Sequence, residues 1–189
     1  MVDKLIDYLE KYKALSTEEK DYLVKNIEIR ELKANQLLLS EGEVSSEFYF
    51  IIKGAIRLYY TKELDEKSAY FYFENMFVSS YESFTKNKPS KQNLITIDDT
   101  VVAVITNKNA QELLTRFPEF EFLARVIMEE ELIIYQEIIS NFVSMNAELR
   151  YRKLIETDSQ ILQRVPQYQL SSYLGVAPET LSRIRKKIK

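Results

Sequence analysis

The sequence predicts an α+β protein on three observations. Short β-rich segments fill its middle, an unbroken helical stretch runs from Glu119 to Asn146, and a glycine-punctuated pair of short helices closes the chain. Ahead of the strands, Leu5, Leu9, Tyr12 and Leu15 recur at helical spacing. Ser16-Thr-Glu-Glu19 then has the form of a capping box, opening a second helix through Tyr22 and Leu23. From Ile27 the texture turns to strands: Ile27 to Lys33, Leu37 to Leu39, Phe48 to Lys53, Ala55 to Tyr60, Ser68 to Phe73, Leu94 to Ile97 and Val101 to Ile105. Glu41-Gly42 and Lys53-Gly54 mark turns between them, and so many short strands imply a sandwich or barrel.

Asn107 to Arg116 reads as a helix that stops at Phe117-Pro118, because proline disfavours helical backbone in the residue before it. Between Glu119 and Asn146 there is neither glycine nor proline. Leu123, Ile127, Ile134, Ile138 and Met145 fall within ~60° of one another at the 100° helical step, forming one apolar stripe. Leu132, Tyr135, Ile139, Phe142 and Val143 form a second, so the helix needs two neighbours. The β-body supplies one, and a second copy of the chain is expected to supply the other, with Leu123, Ile127, Ile134 and Ile138 on the dimer contact. The alternative is a helix buried wholly within a monomer. Two more helical segments, Glu148 to Asp158 and Gln160 to Val165, lead to Pro166. The domain boundary is expected near residue 146, giving units 1–146 and 147–189, each with its own core. With only three glycines in the chain, no flexible linker joins them.

Composition narrows the function. Hydrophobic residues at 46% and charged residues at 29% are globular proportions, and no apolar run approaches the ~20 residues that span a bilayer. The opening residues lack the features of a secretory signal, so a cytoplasmic location is expected. There is no cysteine and no histidine. That removes disulfides, thiolate nucleophiles, zinc fingers, imidazole bases and histidine-bound haem, leaving only a carboxylate site for any enzyme chemistry. No metal site is expected. Charge is divided unevenly: residues 150–189 hold nine Lys or Arg against three acids, while the rest of the chain is acidic. A basic terminal segment on an acidic body is suited to meeting a polyanion.

That basic segment carries the strongest local pattern. Gln169-Leu-Ser-Ser-Tyr-Leu-Gly175 followed by Val176-Ala-Pro-Glu-Thr-Leu-Ser-Arg-Ile-Arg-Lys-Lys-Ile188 has the spacing of a helix-turn-helix. Leu170, Leu174, Val176, Leu181 and Ile184 are the apolar positions that clamp the two helices, Gly175 permits the sharp turn, and Pro178 suits a first helical position. With Leu181, Ile184 and Ile188 inward, Glu179, Ser182, Arg183 and Lys186 face outward. Arg183 can pair bidentately with guanine, Glu179 can accept from cytosine and Ser182 can bond to several base edges. Thr180, Arg185, Lys186, Lys187 and Lys189 suit phosphates, which position a protein without reading sequence.

Taken over nearly its full length, the chain resembles the CRP/FNR family of bacterial transcription regulators. Two motifs carry the resemblance: Phe48-Tyr-Phe-Ile-Ile-Lys-Gly-Ala-Ile-Arg-Leu-Tyr-Tyr60, similar to that family's strand pair around a glycine turn, and Glu179-Thr-Leu-Ser-Arg183, similar to its recognition-helix motif. The resemblance implies a double-stranded β-helix (jelly roll) with flanking helices, a long dimerisation helix and a DNA-binding helix-turn-helix. It also implies a homodimer on a two-fold symmetric operator in double-stranded DNA, with RNA polymerase as a further partner. The effector site departs from the pattern. Where cyclic-nucleotide binders of the family carry Gly-Glu and, about ten residues on, an arginine, this chain has Ser79-Ser80 and Ser90. Lys88 and Lys91 lack the planar fork of guanidinium, so cyclic nucleotide binding is not expected and any small-molecule effector is unknown. Tyr81, Glu82, Ser83, Phe84 and Ser90 line the corresponding pocket or fill the roll. The family often adds a β-hairpin wing after its recognition helix, and nothing follows Lys189 here, so part of the usual phosphate clamp is expected to be missing. The competing reading is a ligand-sensing or protein-binding β-roll without sequence-specific DNA binding.

Overall fold

Alternation along β3 (Glu47–Lys53) dictates the layering. Phe50 and Ile52 point one way, Tyr49 and Ile51 the other, and all four are buried, so this strand must be covered on both faces. The computed structural model describes residues 1–63 and 65–188 and shows that cover. One antiparallel sheet has the order β1 (Glu28–Leu32), β8 (Thr100–Thr106), β3, β6 (Phe77–Val78), and a second has β2 (Leu37–Leu39), β7 (Asn93–Thr96), β4 (Ile56–Lys62), β5 (Asp65–Tyr72). Tyr49, Ile51 and Val102 of the first sheet meet Ile56, Leu58 and Leu94 of the second between the layers. Phe50, Ile52 and Ala103 instead face α1 (Asp3–Leu9), α2 (Thr17–Asn26) and α5 (Phe120–Ser144) through Leu5, Leu23 and Leu123.

Local signals place most elements. The α2 capping box forms: Ser16 Oγ accepts from the Glu19 amide at 3.2 Å, and the Glu19 carboxylate accepts from the Ser16 amide at 2.7 Å. The first helix ends at Leu9, short of the expected Leu15. Helix α4 (Asn107–Arg116) has the bounds the sequence predicts, with Thr106 Oγ1 accepting from the Asn109 amide. Two elements have no sequence signal of their own, the two-residue β6 and the six-residue α3 (Tyr81–Lys86), because neither spans enough residues to show a period.

After α5 come α6 (Ala147–Thr157), α7 (Ser159–Arg164), α8 (Gln167–Tyr173) and α9 (Pro178–Ile188). The chain leaves helical backbone at Met145, and Asn146 caps α6 by accepting from the Leu149 amide at 3.0 Å. The terminal helices do not keep a separate core. Tyr151, Ile161, Leu170 and Leu181 pack into one cluster with Ala55, Phe71 and Phe73 of the β-body, so the expectation of two independent cores gives way to a shared one.

The long helix also needs a correction. Leu123 and Ile127, assigned to a dimer contact, are buried in the chain's own core, and half-buried Ile134 and Ile138 line a groove against α6 and α8. Periodicity fixes which residues share a face but not which neighbour that face meets. The apolar residues of α5 most exposed to solvent are Leu132, Ile133, Ile139 and Val143, the last 84% exposed. No described helix is long and apolar enough to cross a membrane.

Candidate nucleic-acid interface and effector cleft

Helix α8 ends because Leu174 is followed by Gly175 in left-handed backbone at φ +68°. The Val176 amide returns to the Ser171 carbonyl at 3.0 Å and the Gly175 amide to Ser172 at 3.1 Å, the paired bonds of a Schellman turn. Helix α9 then starts at Pro178, where no amide donor is needed. Leu170 and Leu174 of α8 and Leu181 and Ile184 of α9 are buried together, and the 2%-exposed Ser171 lets the two helices approach.

With that seam inward, the opposite side of α9 is set. Glu179, Arg183 and Lys186 are exposed and Ser182 is half-buried beside them, so the four residues assigned to the outward face do share it. Arg183 donates to Thr180 Oγ1 at 3.3 Å, which orients the guanidinium along the helix. Among the described residues, no ion pair engages Glu179, Arg183 or Lys186. The flanks differ. Arg185 is half-buried and reaches Gln167 at 3.5 Å, while Lys187 pairs with Glu148 of α6 at 2.7 Å and is drawn away from the outward face. Hydrogen bonds from Lys187 and Arg152 hold the Glu148 carboxyl below its ordinary range. Lys189 lies outside the described residues.

The candidate effector cleft, about 230 Å³, lies between α3, the Pro89–Gln92 loop and α5. Tyr81, Glu82, Ser83 and Ser90 line it as expected, joined by Ser79, Lys91 and three residues that no local pattern pointed to, Tyr60, Gln92 and Tyr135. Phe84 does not line it. Its ring packs at 5.6 Å from Phe48, because α3 turns that side towards the apolar layer. The serines are satisfied by one another and by backbone. Ser90 Oγ donates to Ser80 Oγ at 2.9 Å, Ser79 Oγ to the Glu47 carbonyl at 3.0 Å, and Ser83 Oγ accepts from the Ser45 amide while donating to the Lys88 carbonyl. Glu82 pairs with Lys86, which keeps its carboxyl below the usual range. The buried polar groups at Ser79, Ser80 and Ser90 therefore bond within the protein, and Lys91 is the one cation lining the cleft among the described residues.

Comparison with known proteins agrees with this architecture. The model of the cyclic nucleotide-binding domain family matches residues 29–117. Among solved structures, the Xanthomonas campestris global regulator CLP, described as c-di-GMP-responsive, is 16% identical, with a TM-score of 0.74 over 92% of this chain and 91% of that one. FixK2 from Bradyrhizobium japonicum is 15% identical, with a TM-score of 0.72 over 86% and 84%. The Thermus thermophilus catabolite activator protein is 20% identical, with a TM-score of 0.52 over 96% and 86%. At these identities the likeness is one of fold. No curated protein matches the sequence. The β-body thus has the cyclic nucleotide-binding fold, and the resemblance to CRP/FNR regulators read from the two sequence motifs holds for the chain as folded.

Proposed function

We propose that this protein is a sequence-specific transcription regulator of the CRP/FNR type. It acts as a cytoplasmic homodimer on two-fold symmetric double-stranded DNA, independently of cyclic AMP and without enzymatic activity. In this reading residues 1–146 form a jelly-roll sensor domain with its dimerisation helix, and 147–189 form a helix-turn-helix domain. The observation that carries it is α9 itself: its apolar seam is sealed against α8 across a glycine turn, while Glu179, Arg183 and Lys186 stand free on the opposite face. The exposed α5 residues Leu132, Ile139 and Val143 supply an apolar strip for a second copy. Independence from cyclic AMP rests on Ser90, which stands where the family's arginine would be and whose hydroxyl is taken up by Ser80 and the Gln92 backbone. RNA polymerase and an effector other than cyclic AMP are family-level expectations that follow from this reading.

Selection of bound duplexes from a random pool tests it. A two-fold symmetric winner that outbinds scrambled DNA by ~10³ is the expected result. Arg183→Ala should then lower affinity for the winner by roughly 10- to 100-fold and relax one base-pair preference. Lys186→Ala should instead weaken all duplexes alike and lower the salt slope by about 1. Equal binding of all sequences by the unsubstituted protein would overturn the proposal.

A further inference from the structure

Arg150, on α6, touches none of the outward residues of α9, yet it is bonded to the ends of two other helices. Its Nη1 donates to the Met145 carbonyl at 2.6 Å, just past the end of α5, and its Nη2 donates to the Leu174 carbonyl at 2.8 Å, at the end of α8. The Leu174 carbonyl, at a helix C-terminus, lacks an intrahelical donor and carries the negative end of the α8 dipole, so the guanidinium caps α8 while also holding Met145, the extended residue that ends α5. The same guanidinium lies 4.5 Å from the centroid of the Phe142 ring, which is 45% exposed at the edge of the free α5 face. A Cβ built on Gly175 would lie 3.5 Å from that ring and 3.9 Å from Arg150 Nη2. The turn that launches α9 therefore rests on Phe142 and Arg150 together.

We propose that Arg150 is a positioning residue that ties the orientation of α9 to the state of the α5 face at Phe142. The inference rests on the DNA-reading function proposed above. Contact of a second copy with the α5 face fixes the Phe142 ring. The ring fixes the plane of the guanidinium stacked on it, and the guanidinium fixes the Leu174 carbonyl from which the turn departs. Lysine in its place keeps the charge but loses the planar fork that spans two carbonyls and stacks on a ring.

The test compares the full-length protein with Arg150→Lys, Phe142→Leu and the double substitution, reading amide hydrogen exchange at residues 175–181 and affinity for the selected operator. Phe142→Leu alone should raise exchange in that segment and weaken operator binding by roughly three- to thirtyfold. In the Arg150→Lys background it should add almost nothing, and exchange in the β-body should be unchanged throughout. Fully additive effects, or an Arg150→Lys protein whose 175–181 segment exchanges as in the unsubstituted one, would overturn the role of Arg150. If the unsubstituted protein selects no operator, the DNA-reading proposal fails by itself, and the exchange comparison still decides whether the clamp exists.

Discussion

Gly54 and Gly175 both occupy left-handed backbone, at φ +101° and +68°, but they answer to different constraints. A Cβ on Gly54 would lie 2.4 Å from Thr100 Oγ1 and 2.6 Å from its Cα, so backbone would have to move, whereas at Gly175 the neighbours stand at ordinary contact distance. Gly175→Ala should therefore cost only the left-handed strain, about 1–2 kcal/mol. Gly54→Ala should cost that plus an overpacking term, about 3–4 kcal/mol in all. Urea unfolding of the two variants measures the difference, and equal losses would refute the clash. Both glycines are visible in the sequence as turn signals, and the 100° step correctly sorts Glu179, Ser182 and Arg183 from Leu181 and Ile184. Pairings across long chain separations are not visible there. Glu148 captures Lys187 from 39 residues away, and Ser80 meets Ser90 only because the α3 loop folds back.

Helix α5 shows the same limit one scale up. Its two apolar stripes are legible, but the partner of each is not, so the stripe containing Leu123 and Ile127 seats on the β-body and leaves Leu132, Ile139 and Val143 outside. Ile139 is 64% exposed, so Ile139→Glu should leave the fold intact, with stability within ±0.5 kcal/mol. The same charge should convert a dimer to monomers in sedimentation equilibrium; a variant that remains dimeric would place the interface elsewhere. On the same helix, burial pushes the Glu131 carboxyl up to about 7, with the Tyr135 hydroxyl opposing the rise and Glu130 adding to it. Between its unfolded pKa, near the ordinary glutamate value, and about 7 the folded protein holds more protons than the unfolded one, so this group makes stability fall as pH rises through that window. Glu131→Gln should thus stabilise the protein above pH 7, on the order of 1–2 kcal/mol after allowance for its partial exposure, and change little near pH 4. Unfolding midpoints at the two pH values check the sign.

For the molecule as a whole, the sequence shows the order of the elements and the division between an acidic body and a basic end, but not how the two ends meet. The strands, the long helix and the terminal helices are written in local periods, whereas the third core cluster and its polar rim join residues that sit far apart in the chain. Arg164 of α7 is the centre of that rim. It pairs with Glu74 at 2.8 Å and Asp98 at 2.7 Å, and those carboxylates in turn accept from the Gly54 and Ala55 amides of the β3–β4 turn. Burial opposes the charge on Glu74, but Arg164 and the Gly54 amide outweigh it, so its carboxyl lies below the ordinary range. The stabilisation from Glu74 is therefore full above the ordinary glutamate pKa and is lost as pH falls through the lowered folded value. Arg164→Gln should loosen α7–α9 from the β-body by about 1–3 kcal/mol, since the ion pairs are partly screened but their carboxylates stay half-buried. Amide exchange in α7 and α8 should then rise while protection of β3 and β8 is retained. Uniformly raised exchange would mean instead that the shared core makes the terminal helices and the sheets one cooperative unit, and that Arg164 holds the whole fold rather than a joint within it.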